Sequence, residues 1–494
     1  MGRAVRLRYT GLVAFLTRIG SVFTGLAFTV LVTRNLTVPD FGLWQYISIL
    51  CSYLLFPNFL MNYWSTRFTA RGYRVGRTHV ILSTYFSLAA LFVFLAVSVW
   101  GSRDLTTDLG VFFLASLTIP FLYLYQALEA LAYGHRPELP QYGFIIFEVS
   151  KVVLGVVFVL LLRMGFYGVL ISVILAYALQ ATFLAITQLD LLKGVFDRSI
   201  ASRWIRSSWL PAYGMIPSML LGLDALLVTI ISRSTEPIAY WRAAQVIFGM
   251  IGYSTYLASA LYPKMLSGGG GKDVEVALRL VLMFSVPMVI GAFVLAKPLL
   301  AILKAEYVIA SDVVRVGVFV ALISAITNVF SGAISGLEGV DKEGQLSFRK
   351  LLRSKLFLIP SVNIVASSAY IVSLIVIAQL LLSYNAENVY IAIPFYANIG
   401  LLIVNAFTLL YLYGMLRKMI KFSFPTLSVL KYVVASLPMV IVFYLYPPAR
   451  ALTTVAEALL GGCIYFLLLF LIDREARDLF VAGIKYMGNK FSQK

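Results

Sequence analysis

Charge is scarce in this sequence, and cysteine and histidine are nearly missing. Only 13% of the 494 residues are charged, against about 25% in soluble globular chains. The two cysteines, Cys51 and Cys463, both fall inside apolar runs, which excludes a disulfide framework, a four-cysteine zinc site and a thiol relay. Two histidines, His79 and His135, leave few metal or acid–base constellations to build, and no resident cofactor or metal is expected. Stretches of soluble-domain composition are absent too, because apolar runs recur from Leu12 to Ile472. Separate catalytic domains are thereby excluded. What is abundant is hydrocarbon: 61% of residues are hydrophobic and the mean hydropathy is +0.90. The composition is that of a membrane protein.

A membrane helix needs about 20 mostly apolar residues to cross about 30 Å of hydrocarbon. Such runs lie near residues 12–33, 41–63, 79–100, 109–133, 140–162, 166–188, 209–232, 239–263, 280–296, 312–337, 357–382, 390–414, 432–446 and 452–472. The expected fold is an all-α polytopic membrane protein of about fourteen transmembrane helices. A barrel would show alternating segments of about ten residues, and runs such as Val152–Leu162 do not alternate.

Lys and Arg in short loops stay cytoplasmic. Of the 40 basic residues, 29 fall on the side shared by both termini and nine on the other. The expected protein is therefore a multi-pass membrane protein with both termini cytoplasmic, and the low content of Asn, Cys and His points to an archaeal or bacterial plasma membrane. Most of the formal charge of +18 is then a topology signal, with attraction to anionic headgroups second. No nucleic-acid module is visible. The basic N-terminus followed by Leu12–Val32 looks like a signal peptide, but the run is too long for one and is expected to be the first anchor.

Internal repetition appears where the first and seventh spans end. Arg34, Pro39 and Trp44 recur in order as Arg233, Pro237 and Trp241. The tryptophans are 197 positions apart, the offset that also pairs Arg67 with Lys264, and Leu128-Glu129 recurs as Leu337-Glu338. Six spans per half gives both halves one orientation, related by an axis along the membrane normal. The expected organisation is a six-helix lobe over residues 1–200, a pseudo-symmetric second lobe over 201–425, and two additional helices with a cytoplasmic tail over 426–494.

Three features carry a family resemblance: Arg18-Ile19-Gly20 in span 1; Val32-Thr33-Arg34-Asn35-Leu36 followed by Asp40-Phe41-Gly42 entering span 2; and the arrangement of six, six and two spans. The sequence resembles the polysaccharide flippases of the Wzx or RfbX type. Their superfamily, the multidrug/oligosaccharidyl-lipid/polysaccharide flippases, also holds the multidrug and toxin extrusion (MATE) transporters and the lipid II flippases. The resemblance implies a MATE-like two-lobed transporter moving a polyprenyl-pyrophosphate-linked oligosaccharide from the cytoplasmic to the outer leaflet, for surface polysaccharide or glycoprotein glycan assembly. The implied partners are that glycan lipid and the membrane lipids, with glycan-assembly enzymes a further candidate, and the chain is expected to act as a monomer.

An ionisable group inside a span costs roughly 2.5–3.5 kcal/mol on insertion scales, so it faces a bundle interior or a wet cavity. Arg18, Glu148, Lys151 and Asp224 lie in such positions. A pyrophosphate leaving water needs donors or positive charge at each oxygen, and Arg18 and Lys151 can supply them. Glu148 lies three residues before Lys151 on the same helix face, where a local ion pair is the competing reading; snorkelling competes for Arg18. Asp224 is a candidate for cross-helix pairing or for coupling to sodium or protons, and Glu148 for cavity pairing. Glu129 and Glu338 read as solvated helix ends, and Asn328, Asn398 and Asn405 as interhelical hydrogen-bond formers. By resemblance, spans 2 and 8 flank the opening between lobes, which makes Arg67 and Lys264 candidates for a cytoplasmic gate. Pro120, Pro211, Pro217 and Pro287 mark expected kinks.

The rival classes fare worse. An outward-facing glycosyltransferase needs catalytic groups in an external loop, and loops 34–40, 163–165 and 233–238 are too short to hold them. Gly268–Gly271 lacks the Lys-Ser/Thr of a phosphate-binding loop, which removes an ATP-driven pump, so the chain is not expected to be an enzyme. A multidrug/cation antiporter of the same superfamily is the serious alternative. It calls for an acidic, aromatic cavity.

Overall fold

The computed structural model describes residues 7–473 and 477, except residues 71, 105–107, 137, 207, 259–260, 267, 338–354, 385–387, 447 and 449. The described residues are overwhelmingly helical and include no strand, as a chain in lipid must be when every backbone group has to be satisfied internally. Eleven helical stretches are long and apolar enough to cross a membrane, and a bent pair makes a twelfth. Where described, all fourteen expected runs fall mainly on helix. The two outside that count are the first helix and the interrupted stretch at 236–266, so fourteen is approximate.

The chain divides into two compact units, Met1–Ala239 and Tyr240–Lys494. The first holds α1 (Leu7–Asn35), α2 (Val38–Leu54), α3 (Phe56–Ala70), α4 (Gly76–Asp104), α5 (Leu109–Ser116), α6 (Thr118–His135), α7 (Leu139–Gly155), α8 (Gly165–Thr187), the short α9 (Leu189–Leu192) and α10 (Arg198–Arg206), and α11 (Trp209–Ser232). Helix α12 (Glu236–Phe248) crosses the boundary and runs into a 3-10 stretch, Gly249–Ala258. The second unit continues with α13 (Leu261–Leu266), α14 (Gly271–Val294), α15 (Ala296–Leu303), α16 (Ser311–Leu337), α17 (Lys355–Ser383), α18 (Val389–Met419), α19 (Thr426–Leu445) and α20 (Ala451–Ile472).

Proline sets the breaks. Pro57 has no N–H to continue the ladder, and span 2 bends by 51° between α2 and α3. The break leaves the Leu54 carbonyl without its helical donor, and the Tyr123 hydroxyl donates to it instead. Pro120 acts alike on span 4, which breaks at Leu117 into α5 and α6. Inside α14, Pro287 leaves the Met283 carbonyl unmet four residues earlier, and the Tyr465 hydroxyl of α20 donates to it at 2.6 Å. The two C-terminal helices are thus bonded into the second unit: Tyr432 and Ala435 of α19 and Tyr465 and Leu469 of α20 share its buried core with α14, α16 and α18.

Helices in lipid gain no hydrophobic drive to associate and rely on close backbone approach. In the first unit Gly143 of α7 lies against Leu184 of α8, and Gly155 against Phe28 of α1. The two repeated segments also meet: the Thr235 hydroxyl donates to the Pro39 carbonyl at 2.9 Å, and Gly42 lies directly on the Thr235 carbonyl.

Candidate functional site: a polar cavity in the first unit

Once span 2 has turned at Pro57, α3 places Phe59, Asn62, Tyr63, Thr66 and Arg67 on one face, spaced i, i+3, i+4, i+7, i+8. Helix α6 answers with Gln126, Glu129, Ala130 and Tyr133 at i, i+3, i+4, i+7. These two faces, with Met215 of α11, enclose an open cavity of about 690 Å³. Its frame is a buried network. Asn58 donates to the Tyr123 carbonyl at 3.2 Å and accepts from the Ser83 hydroxyl, while the Thr66 hydroxyl donates to the Ala130 carbonyl at 2.9 Å. The Arg67 guanidinium donates to the Tyr63 hydroxyl and lies 5.2 Å from that ring's centre. Among the described residues, the buried Oδ1 of Asn62 has no hydrogen-bond partner. The cavity therefore offers one cation, one carboxylate, amides, hydroxyls and three aromatic rings.

A second polar group lies deeper in the same unit. Lys151 Nζ is 2.8 Å from Glu148 Oε1, with the two side chains 13% and 10% exposed. The Thr24 hydroxyl of α1 donates to the other carboxylate oxygen at 2.6 Å. The ammonium sits over two rings, 5.3 Å from the centre of Phe28 and 4.9 Å from that of Phe147, so its charge is met on both sides. Phe147 stacks on Tyr177 at 4.4 Å and Tyr177 on Tyr125 at 5.1 Å. A column of rings thus leads from the ion pair to the residue preceding Gln126 in the cavity wall.

Of the residues singled out from the sequence, Glu148 and Lys151 are brought together and Arg67 lines the cavity. Lys264, in the second unit, pairs with Asp273 at 3.0 Å, and Asp273 also accepts from the Gly270 amide at 2.9 Å. Asp224 is half-buried in α11 and accepts from the Ala225 amide. Arg18 lies in α1, with its side chain outside the described ones, and Glu338 falls outside the described residues. Asn398 accepts from Trp241 Nε1 at 3.1 Å and donates to the Val313 carbonyl, and Asn405 donates to Ser324 at 3.0 Å, both bridging helices.

Sequence reading passed over the cavity itself. Glu129 looked like a solvated helix end, although polar residues at i, i+3 and i+7 along 126–133 carried the signal. It also passed over Glu457 within α20, whose buried Oε2 has no hydrogen-bond partner among the described residues, because one charge does not interrupt an apolar run. Among the described residues no group of three or more His, Cys, Asp or Glu could hold a metal ion.

No protein-family model matches the chain, and no curated protein matches it. Solved structures do. A structure titled lipid II flippase MurJ, inward closed conformation, superposes with a TM-score of 0.67 at 14% identity, covering 96% of this chain and 99% of that one. An inward-facing multidrug resistance MATE transporter of the MOP superfamily superposes with a TM-score of 0.58 at 12% identity, covering 81% of this chain and 95% of that one. The chain has the fold these two transporters share.

Proposed function

We propose that this protein is a flippase that carries a polyprenyl-pyrophosphate-linked oligosaccharide from the cytoplasmic to the outer leaflet by alternating access. The observation that carries the reading is the cavity between α3 and α6. Sugar hydroxyls are donors and acceptors at once and are held by groups that are likewise mixed; Asn62, Thr66 and Gln126 are of that kind, Glu129 adds acceptor oxygens, and Phe59, Tyr63 and Tyr133 give flat apolar surface for sugar rings. Arg67 supplies the fork that a phosphate takes in two bonds. The MurJ-like fold over 96% of the chain supports the reading.

In this scheme Arg67 and Lys264 meet the headgroup at the cytoplasmic side, and Arg18 and Lys151 form a cationic path deeper in the bilayer. Lys151 would exchange Glu148 for phosphate as the cargo passes. Asp224 and Glu148 are the carboxylates through which a sodium or proton gradient would act. Membrane lipids are partners throughout, and the protein works as a monomer in the plasma membrane.

Glu129 and the three cavity aromatics are the specific observation behind a second reading, a multidrug/cation antiporter. Arg67 in the same cavity repels such a cargo, which favours the anionic lipid. A leaflet-translocation assay in proteoliposomes decides, using a fluorescent polyprenyl-pyrophosphate oligosaccharide. Wild type moves the lipid, and Arg67→Gln slows it by about ten- to a hundredfold, as loss of a charge-assisted hydrogen bond would. Wild type that moves no lipid but exchanges an aromatic cation for sodium or protons sinks the flippase reading.

A further inference from the structure

Between spans 6 and 7 the chain does not cross water loosely but folds against the first unit. The Thr78 hydroxyl, at the start of α4, donates to the Val195 carbonyl at 3.4 Å and accepts from the Asp197 amide at 2.9 Å. Gly76 lies on the Leu191 carbonyl with no room for a side chain. Asp197 caps α10, accepting from the amides of Ser199 at 2.8 Å and Ile200 at 3.1 Å. Ala201 and Trp204 turn inward and are buried. The Trp204 ring sits edge-on to Phe68 of α3 at 5.6 Å and to His79 of α4 at 5.9 Å.

The opposite side of this pinned element is basic and apolar together. Arg198, Ile205 and Arg206 share one face of α10 by spacing, with Arg203 beside them, Trp209 opens α11, and all are exposed. Arg74 and Arg77 are exposed at the adjoining start of α4. Among the described residues, Arg198 and Arg206 form no ion pair. Val195 is 84% exposed, Ile205 52% and Trp209 54%, and all three precede the membrane-spanning part of α11, Ala212–Ser232. Topology alone asks for positive charge here. It does not ask for a folded nine-residue helix that presents large apolar side chains among its arginines, which is the composition of an interfacial helix lying on a charged bilayer.

We propose that α9 and α10, with the start of α4, form a docking surface for anionic headgroups of the cytoplasmic leaflet. Arg198, Arg203 and Arg206 hold the phosphates while Val195, Ile205 and Trp209 enter the acyl boundary. Because Trp204 wedges against Phe68, the neighbour of Arg67, a docked α10 also steadies the cavity-lining helix α3. The inference rests on the orientation read from charge and not on the cargo.

The test is hydrogen–deuterium exchange over residues 189–206 in the full-length protein, in nanodiscs of phosphatidylcholine with and without phosphatidylglycerol. The expected result is exchange of α10 amides about ten-fold slower in the anionic bilayer, with the difference shrinking at high salt. Both Arg198→Gln/Arg206→Gln and the triple variant that adds Arg203→Gln should lose the difference; the double variant spares Arg203, which lies near Asp197. Equal exchange of wild type in the two bilayers, as a soluble partner for this face would give, overturns the proposal. So does lipid-dependent slowing that survives in the double variant. In Val195→Ser/Ile205→Ser, exchange should be faster in both bilayers, and unchanged exchange removes the inserted side chains from the proposal.

Discussion

Lys151 and Glu148 illustrate what a charge inside hydrocarbon requires. A lone charge at that depth is costly, and together with Thr24 and two ring faces the two form a closed set. Removing one member of a buried pair typically costs about 3–5 kcal/mol, whereas replacing both with neutral groups of similar size is nearly neutral. Lys151→Met should therefore lower the unfolding temperature in detergent by several degrees, and Lys151→Met/Glu148→Gln should recover most of it. Transport should fall in the single and the double variant alike. A double variant that is stable and transports normally would make the pair purely structural. Asp197 gives a pH dependence outside the membrane. The Ile200 amide, with Ser199 and Arg203 adding to it, holds its carboxyl below the usual carboxylate range. The folded-state value being the lower one, the cap's contribution is complete above the unfolded carboxylate value of about 3.9 and is lost as pH falls through the folded one. Exchange of α10 amides, corrected for intrinsic rates, should accelerate as pH drops below about 4. If Asp197→Asn shows the same acid acceleration, another group is responsible.

Helices tell a different story about what sequence reveals. Fourteen apolar runs were legible because a span's length is set by the bilayer and because continuous hydrophobicity survives any packing arrangement. The bend in span 2 was not read, although Pro57 was in plain view. What decides a kink is whether some other group meets the freed carbonyl, and Tyr123, 69 residues away at the Leu54 carbonyl, belongs to another helix. The cavity was missed for a related reason: α3 and α6 each carry a modest polar stripe, and only their juxtaposition makes a site. The repeated segments at 33–44 and 232–241, by contrast, were visible as sequence, and the structure adds that Gly42 lies on the Thr235 carbonyl. A methyl group there has no space. Gly42→Ala should destabilise by about 1–3 kcal/mol, as overpacking does, while Gly20→Ala, with nothing within 4 Å of the new atom, should be neutral or mildly stabilising. Thermal unfolding of the two variants side by side checks this, and equal midpoints would mean that α2 and the α11–α12 turn separate readily.

Across the whole chain, the bond from Tyr465 to the Met283 carbonyl joins positions 182 residues apart. Tyr465→Phe leaves that carbonyl buried without a donor, at a cost of about 1–3 kcal/mol, whereas Tyr444→Phe, at an exposed position, should cost almost nothing. Matched unfolding midpoints for the two variants would show that Met283 finds another donor. The bond also sets a clock on biosynthesis. A ribosome adding about 5–20 residues per second makes α14 roughly 10–40 s before it makes the tyrosine that completes it, so for that interval the nascent second unit carries an open polar wound in lipid. Any product released before Tyr465 keeps it, and membrane quality-control proteases that recognise exposed polar backbone would thereby be given a mark that separates unfinished copies from finished ones.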